Sequence, residues 1–257
     1  MDGGNGQLTI AVLVKQVPDM NAVKIDRASG APQFGGQQVV SSYDEYAVEL
    51  ALRLAERHGG ATVVLTVGPA SARDALTRAL AMGVDRAVHI ETADPNGLGT
   101  LAVARLLAGE LGKISPSLVI AGQTADDFES GQVGGQVAEL LDLPLISNIV
   151  SVDASGGHLT LRRDMEDGYQ TVTVAMPALL LSSTGLDEPR LPSLKGIMAA
   201  KKKPVDVVAA SVPGESDIRW TAPKAPEKSV TGVLLQDVPA AEAARRLTEW
   251  LKEQKAM

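Results

Sequence analysis

Cysteine is absent from all 257 residues. That removes disulfides, thiol nucleophiles and cysteine-bound iron–sulfur clusters together, so any redox role must rest on a bound organic cofactor. Histidine is nearly as scarce: His58, His89 and His158 are scattered, none in metal-ligand spacing with another, and each reads as a surface or strand-end residue. No catalytic residue and no metal site is assigned. Basic charge is short as well, with a net charge of -7, which argues against a nucleic-acid surface. No stretch approaches eighteen uninterrupted apolar residues, so no membrane span is expected. The opening MDGGNGQLTIAVLVK lacks a basic n-region and a small-residue cleavage site. No signal peptide is read there, and a cytoplasmic location is expected.

What remains suits a soluble globular protein of one large domain or two small ones, 45% hydrophobic and 21% charged. LTIAVLVK (Leu8–Lys15) is a near-continuous apolar run, as in a parallel strand covered on both faces. Residues Asn21–Gly36 form a polar, Gly-containing excursion. SSYDEYAVELALRLAERHGG then reads as a helix, with Ser42 and Glu45 as an S-x-x-E capping box and Gly59–Gly60 at its end. Strand ATVVLTVGP (Ala61–Pro69) follows, then a helix capped by Ser71 and Asp74, strand RAVHIE (Arg86–Glu91), helix Leu98–Leu111, strand SLVIAG (Ser117–Gly122) and helix Gln132–Leu141. This alternation predicts an α/β fold with a doubly wound, Rossmann-like parallel sheet.

After about residue 145 the segments NIVSVDA, HLTLRRD, QTVTVAM and ALLLSST follow with little helix between them, and a small antiparallel addition is expected. A nucleotide-binding domain is therefore placed at 1–212. From Pro213 to Ser229 the chain is rich in Pro, Lys, Glu and Ser, as an extended arm would be. PAAEAARRLTEWLKEQ closes it as an amphipathic helix with Ala240, Ala243, Ala244, Leu247, Trp250 and Leu251 on one stripe. Arm and helix make up 213–257. The helix could dock on its own domain or be carried to a partner subunit.

Ligands of open α/β sheets bind beyond the carboxyl ends of the strands. VKQVPD, VGP and GQTADDFESGQVGG converge there. In the last, Ser130–Gly131–Gln132–Val133–Gly134 opens a helix whose free N–H groups favour a phosphate. The spacing is neither a Walker motif nor G-x-G-x-x-G. As plain structure it is an Asp-rich strand–helix turn, and both readings stand. Asp126, Asp127 and Glu129 would repel phosphate if they pointed at it, and are expected on ribose hydroxyls or in water. A second unusual stretch is LDEPRLPSLKGIMAAKKKP (Leu186–Pro204). Two prolines interrupt it, yet it carries Leu191, Leu194, Ile197 and Met198, an apolar set that loops hold mainly where function needs it.

VLVKQVPD (Val12–Asp19), DEYAVELALRL (Asp44–Leu54), ALAMGVDRAVHI (Ala79–Ile90) and LDEPRLPSLKGIMAAKKKP together resemble the β subunit of electron transfer flavoprotein. The similarity runs from about residue 8 to 208, more weakly in the C-terminal helix. It implies an adenine nucleotide alpha hydrolase-like fold, a non-catalytic electron carrier and a heterodimer with an α subunit that holds most of the FAD. The β subunit is expected to hold AMP, or a second FAD in electron-bifurcating members that oxidise NADH.

Carried over residue by residue, the resemblance places nucleotide contacts on Gly122, Gln123, Thr124, Ala125, Asp126, Asp127, Phe128, Glu129, Ser130, Gly131, Gln132 and Val133. Leu13, Ser41, Ser42, Asp44 and Val67 add to them, with Tyr43 as the flavin-facing aromatic. It makes Leu186–Ala200 a recognition loop for flavin dehydrogenases such as those oxidising acyl-CoA, with Leu194 as anchor. Asp164 stands where the family has a glutamate that holds the mobile flavin domain, and electrons would pass on to a membrane quinone oxidoreductase. The chain departs from the family at Ser41–Ser42–Tyr43, where an Asn-Pro-aromatic triplet is common, and at Ala199, a lysine in some relatives. Phe128 puts bulk where bifurcating members have glycine, which favours AMP, whereas Gln132–Val133–Gly134 keeps the second FAD open.

Overall fold

The computed structural model describes residues 8–184, 186–211, 221–226 and 232–256. Its elements run β1 (Leu8–Leu13), β2 (Gln16–Pro18), β3 (Lys24–Ile25), β4 (Pro32–Gln33), β5 (Gln38–Val40), α1 (Ser42–His58), β6 (Gly60–Gly68), α2 (Arg73–Met82), β7 (Arg86–Glu91) and α3 (Thr100–Ile114). They continue with β8 (Leu118–Gly122), α4 (Val133–Leu140), β9 (Leu145–Ser155), β10 (His158–Met165), β11 (Gly168–Ala175), β12 (Ala178–Ser182), α5 (Leu194–Ala200), β13 (Val205–Ala209) and α6 (Ala240–Glu253).

One nine-stranded sheet in the order β11-β10-β9-β12-β8-β1-β6-β7-β13 organises the chain. From β9 to β13 every neighbour is parallel. Successive side chains of a strand face opposite ways, so β1 divides its residues between two cores. Ile10 and Val12 pack with α1 and α2, while Ala11 and Leu13 pack with α3 and α4. The expected doubly wound α/β sheet is thus present. Strand order reverses at β1, because the chain goes from β1 to β6 and β7 on one side and returns to β8 on the other.

The small antiparallel addition is present, but one of the four segments expected in it lies elsewhere. Only β9, β10 and β11 form a meander. ALLLSST instead supplies β12, all five of whose residues are buried, inserted parallel between β8 and β9. A wholly apolar run cannot face water on one side, so it takes an interior slot. The arm expected at 213–229 lies largely outside the described residues.

Local capping also differs from the sequence pattern. Ser41, not Ser42, is the N-cap of α1 and makes no side-chain cap bond. The cap comes from a distant loop: Asp126 accepts from Ser42 N at 2.8 Å and from its Oγ at 2.8 Å. Glu45 pairs with Arg78 instead. Ser71 lies in a short 3-10 turn ahead of α2 and bonds Gln16, leaving α2 without a side-chain cap. His89 is buried in β7, its Nε2 3.2 Å from the Gly68 carbonyl, rather than at a surface.

Candidate functional site

At the reversal point the carboxyl ends of β1 and β8 diverge, and a crevice partly open to solvent lies beyond them. Leu13, Val67, Val103 and Leu107 give it an apolar wall, and the β8–α4 loop gives it a polar one.

Gly122 ends β8 against the first turn of α1, where a Cβ would strike Asp44 Oδ1 and Tyr43 Cβ. This close approach brings Asp44 between the two strands. Its Oδ2 accepts from Lys15 N at 2.7 Å and its Oδ1 from Gly122 N at 3.0 Å. Burial pushes this carboxyl up to about 7; the two backbone bonds pull it down, Asp126 pushes it up and Lys15 pulls it down. Lys15 then turns its Nζ onto Asp127, at 2.7 Å and 2.8 Å, and over the Phe128 ring at 4.9 Å from its centre. The loop is thereby tied across the crevice.

Of the residues expected at a nucleotide, Leu13, Asp44, Val67, Gly122, Gln123, Thr124, Ala125, Phe128, Ser130, Gly131, Gln132 and Val133 line this space. Ser42, Asp126 and Glu129 face a neighbouring cavity with Met20 and Arg78. Ser41 is wholly buried, its Oγ accepting from Asp126 N at 3.3 Å. Tyr43 is half-buried and lines neither space; its carbonyl accepts from Ser182 Oγ.

Of the three acidic residues of this loop, Glu129 is exposed, while the other two bond the protein. Asp126 caps α1 and Asp127 neutralises Lys15. Both are spent on the protein, which lifts the objection to a phosphate nearby. Thr124 Oγ1, by contrast, is shut off from solvent with no partner. Among the described residues the first turn of α4 has no side-chain cap, which leaves its N–H groups open to an acceptor from elsewhere. Donors and a hydroxyl without partners fit a ligand bearing hydroxyls and an anion, and the apolar wall fits a base. AMP meets that description.

Sequence reasoning missed the wall from Pro95, Asn96, Gly99, Thr100, Val103 and Leu107. The signal was topological. The chain from β7 to β8 must cross β6 and β1, which carries α3 over the strand ends. Thr100 Oγ1 donates to Gln132 Oε1 at 2.9 Å and accepts from Gln136 Nε2 at 3.3 Å, joining the two helices beside the crevice.

The apolar segment near the C-terminal end of the domain is partly helical, contrary to its reading as a loop. Past Pro192, Ser193 caps α5 by accepting from Gly196 N at 3.0 Å. Gly196 lies so close to α2 that a Cβ would meet the Ala81 carbonyl. The outer face carries Leu191 at 83%, Leu194 at 77% and Met198 at 64% exposure, with Ile197 less open. Asp164 is exposed on β10, opposite Tyr169 of β11. Lys203 is no solvated strand entry: its Nζ donates to the carbonyls of Leu80, Gly83 and Val84 at 2.9, 3.0 and 2.6 Å.

Comparison with known proteins follows this geometry. A sequence model of the electron transfer flavoprotein domain matches residues 34–213. The chain belongs to the electron transfer flavoprotein β-subunit family. It is 37% identical over 249 residues to the electron transfer flavoprotein subunit beta of Syntrophomonas wolfei, covering 95% of this chain and 96% of that one. With the Bacillus subtilis subunit beta it shares 34% over 254 residues, 96% and 98% of the two chains. With that of Mycobacterium tuberculosis it shares 37% over 217 residues, 81% and 82%. The model match covers the β8–α4 loop and the α5 segment. Among the described residues no helix is long and apolar enough to cross a membrane.

Proposed function

We propose that the chain is the β subunit of a heterodimeric electron transfer flavoprotein, an electron carrier with no catalytic residues of its own, working in the cytoplasm. It receives electrons from flavin dehydrogenases, such as those acting on acyl-CoA in fatty acid oxidation, and passes them toward a membrane quinone oxidoreductase. The redox chemistry is that of an FAD held with the α subunit, to which this chain adds one face of the cleft near Tyr43. AMP occupies the crevice beyond β1 and β8.

The observation that carries the nucleotide reading is the unpartnered Thr124 hydroxyl beside the uncapped first turn of α4, in a crevice with an apolar wall. Thr124 and the N–H groups of Gln132–Gly134 would hold the phosphate and ribose, and Leu13, Val67, Val103 and Leu107 the adenine. Leu191, Leu194, Ile197 and Met198 form the docking face for dehydrogenases, and Asp164 meets the flavin-bearing domain of the partner. Residues 213–257 contact the α subunit: α6 leaves Leu247 and Trp250 about half exposed, which an α-subunit groove would cover.

Co-expression with the α subunit, followed by heat release and mass spectrometry, tests the reading. One FAD and one AMP per heterodimer are expected, with no stoichiometric FAD on this chain alone. Two FAD and no AMP would make it a bifurcating component instead, and a yellow, FAD-saturated isolated chain would overturn the carrier reading.

A further inference from the structure

Asp44 has a position that nucleotide contact alone does not explain. It is buried, and its two oxygens take one N–H from each strand at the point where the sheet opens: Lys15, just past β1, and Gly122, the last residue of β8. These are the residues from which the two walls of the crevice start. The coupling continues outward, because the same Lys15 holds Asp127 through its ammonium group and so ties down the β8–α4 loop. One carboxylate thus fixes the strand ends, and through Lys15 the loop across the crevice.

The ionised carboxylate does this with two strong acceptor oxygens. A proton on either oxygen turns it into a hydroxyl, a much weaker acceptor, and loosens its bond to the buried N–H it faces. We propose that Asp44 is a proton-sensitive positioning residue, whose ionised form holds the crevice in its nucleotide-binding shape and whose protonation releases the nucleotide. This rests on the AMP reading above.

The surroundings place the event in an accessible range. Burial pushes the carboxyl up to about 7. The charged groups near it are Lys15 beyond β1, Asp126 and Asp127 in the β8–α4 loop, and Glu45 on its own helix. Glu45 is paired with Arg78 and Asp127 with Lys15; β12 presents only the Ser182 hydroxyl. Asp126, committed to the N-terminus of α1, raises the Asp44 value while Lys15 lowers it. A bound phosphate acts in the opposite sense, since a nearby anion favours the protonated acid. The proposal holds that losing the two-strand tie outweighs that repulsion.

The test is equilibrium dialysis of isotope-labelled AMP against the heterodimer at pH 6, 7 and 8, for wild type and Asp44→Asn. The amide has one acceptor oxygen and mimics the protonated acid. Relative to the variant, wild-type affinity is expected to fall about tenfold from pH 8 to pH 6, as a group titrating near 7 requires. The variant should bind weakly throughout, its profile showing only the second phosphate ionisation of AMP near pH 6. Parallel profiles for the two proteins, or wild-type affinity that is flat or rises on acidification, would overturn the proposal and leave the AMP reading intact. Absence of AMP binding by wild type at every pH would overturn both.

Discussion

Arg190 reaches from the segment ahead of α5 to Glu49 in the middle of α1 and meets it with three groups: its backbone N–H at 3.1 Å, Nε at 2.8 Å and Nη2 at 3.1 Å. The Glu49 side chain is 2% exposed. The same guanidinium also holds Glu56, and Arg53 holds both Glu49 and Asp187. The segment that leads into α5 is thus tied to the middle of α1.

Arg190→Ala is expected to cost about 1.5–3 kcal/mol, because a buried carboxylate loses charge-assisted bonds, while Arg53→Ala, on a half-exposed partner, costs under about 1 kcal/mol. Urea unfolding midpoints rank the two. Burial pushes Glu49 up, but the bonds from Arg190 and Arg53 outweigh it and leave the carboxyl below its ordinary 4.5. Its stabilisation is thus present above that value and is lost as pH falls through the lower native one. Equal losses from the two variants would show that Arg190 is not the main partner.

Leu194→Ala should leave stability within about 0.5 kcal/mol, as for an exposed side chain. On the docking reading its burial comes only in the complex and is worth roughly 1.5–3 kcal/mol. Electron transfer from a partner dehydrogenase at sub-saturating concentration should then fall about 10- to 150-fold. An unchanged transfer rate would remove Leu194 from the docking face.

Much of this arrangement could be read before folding. The apolar runs at Leu8–Lys15 and Ser117–Gly122, with helices between, were enough for the sheet and for the place of the crevice. ALLLSST carried the same continuous apolar signal, and only its proximity to three half-polar strands obscured that it belongs with β1 and β8. Long-range partners had no local mark. The spacing of Ser42 and Glu45 spelled a capping box, but Asp126, 84 residues away, supplies the bond. The three lysines looked equally solvated, yet Lys203 reaches the carbonyls at the end of α2.

That difference is measurable. An ammonium group has three donors, and Lys203 places them on Leu80, Gly83 and Val84, where the end of a helix leaves carbonyls unmet and the macrodipole favours a cation. Lys203→Met keeps the stem but not the donors and should cost about 1–3 kcal/mol. Lys201→Met and Lys202→Met should stay within about 0.5 kcal/mol. Three variants of one charge change, compared by thermal unfolding, separate the capping bonds from general surface charge; indistinguishable melting curves would refute the assignment.

Asp44 makes a prediction of unusual sign for a carboxylate. Its value rises from 3.8 to about 7 in the folded chain, so the native state holds the proton more tightly than the unfolded one. The contribution to stability is full below 3.8 and is lost as pH rises to about 7, by at most about 4 kcal/mol over the interval. Most carboxylates held in ion pairs do the reverse. In the absence of nucleotide, the stability of wild type relative to Asp44→Asn should therefore decline as pH rises from 4 to 8. AMP affinity is expected to climb over the upper part of that range. Unfolding free energies of both proteins at four pH values, without and with AMP, read the two slopes on one preparation. A stability difference that is flat or grows with pH over this range would mean that Asp44 is an ordinary stabilising carboxylate, already ionised throughout and unable to release the nucleotide.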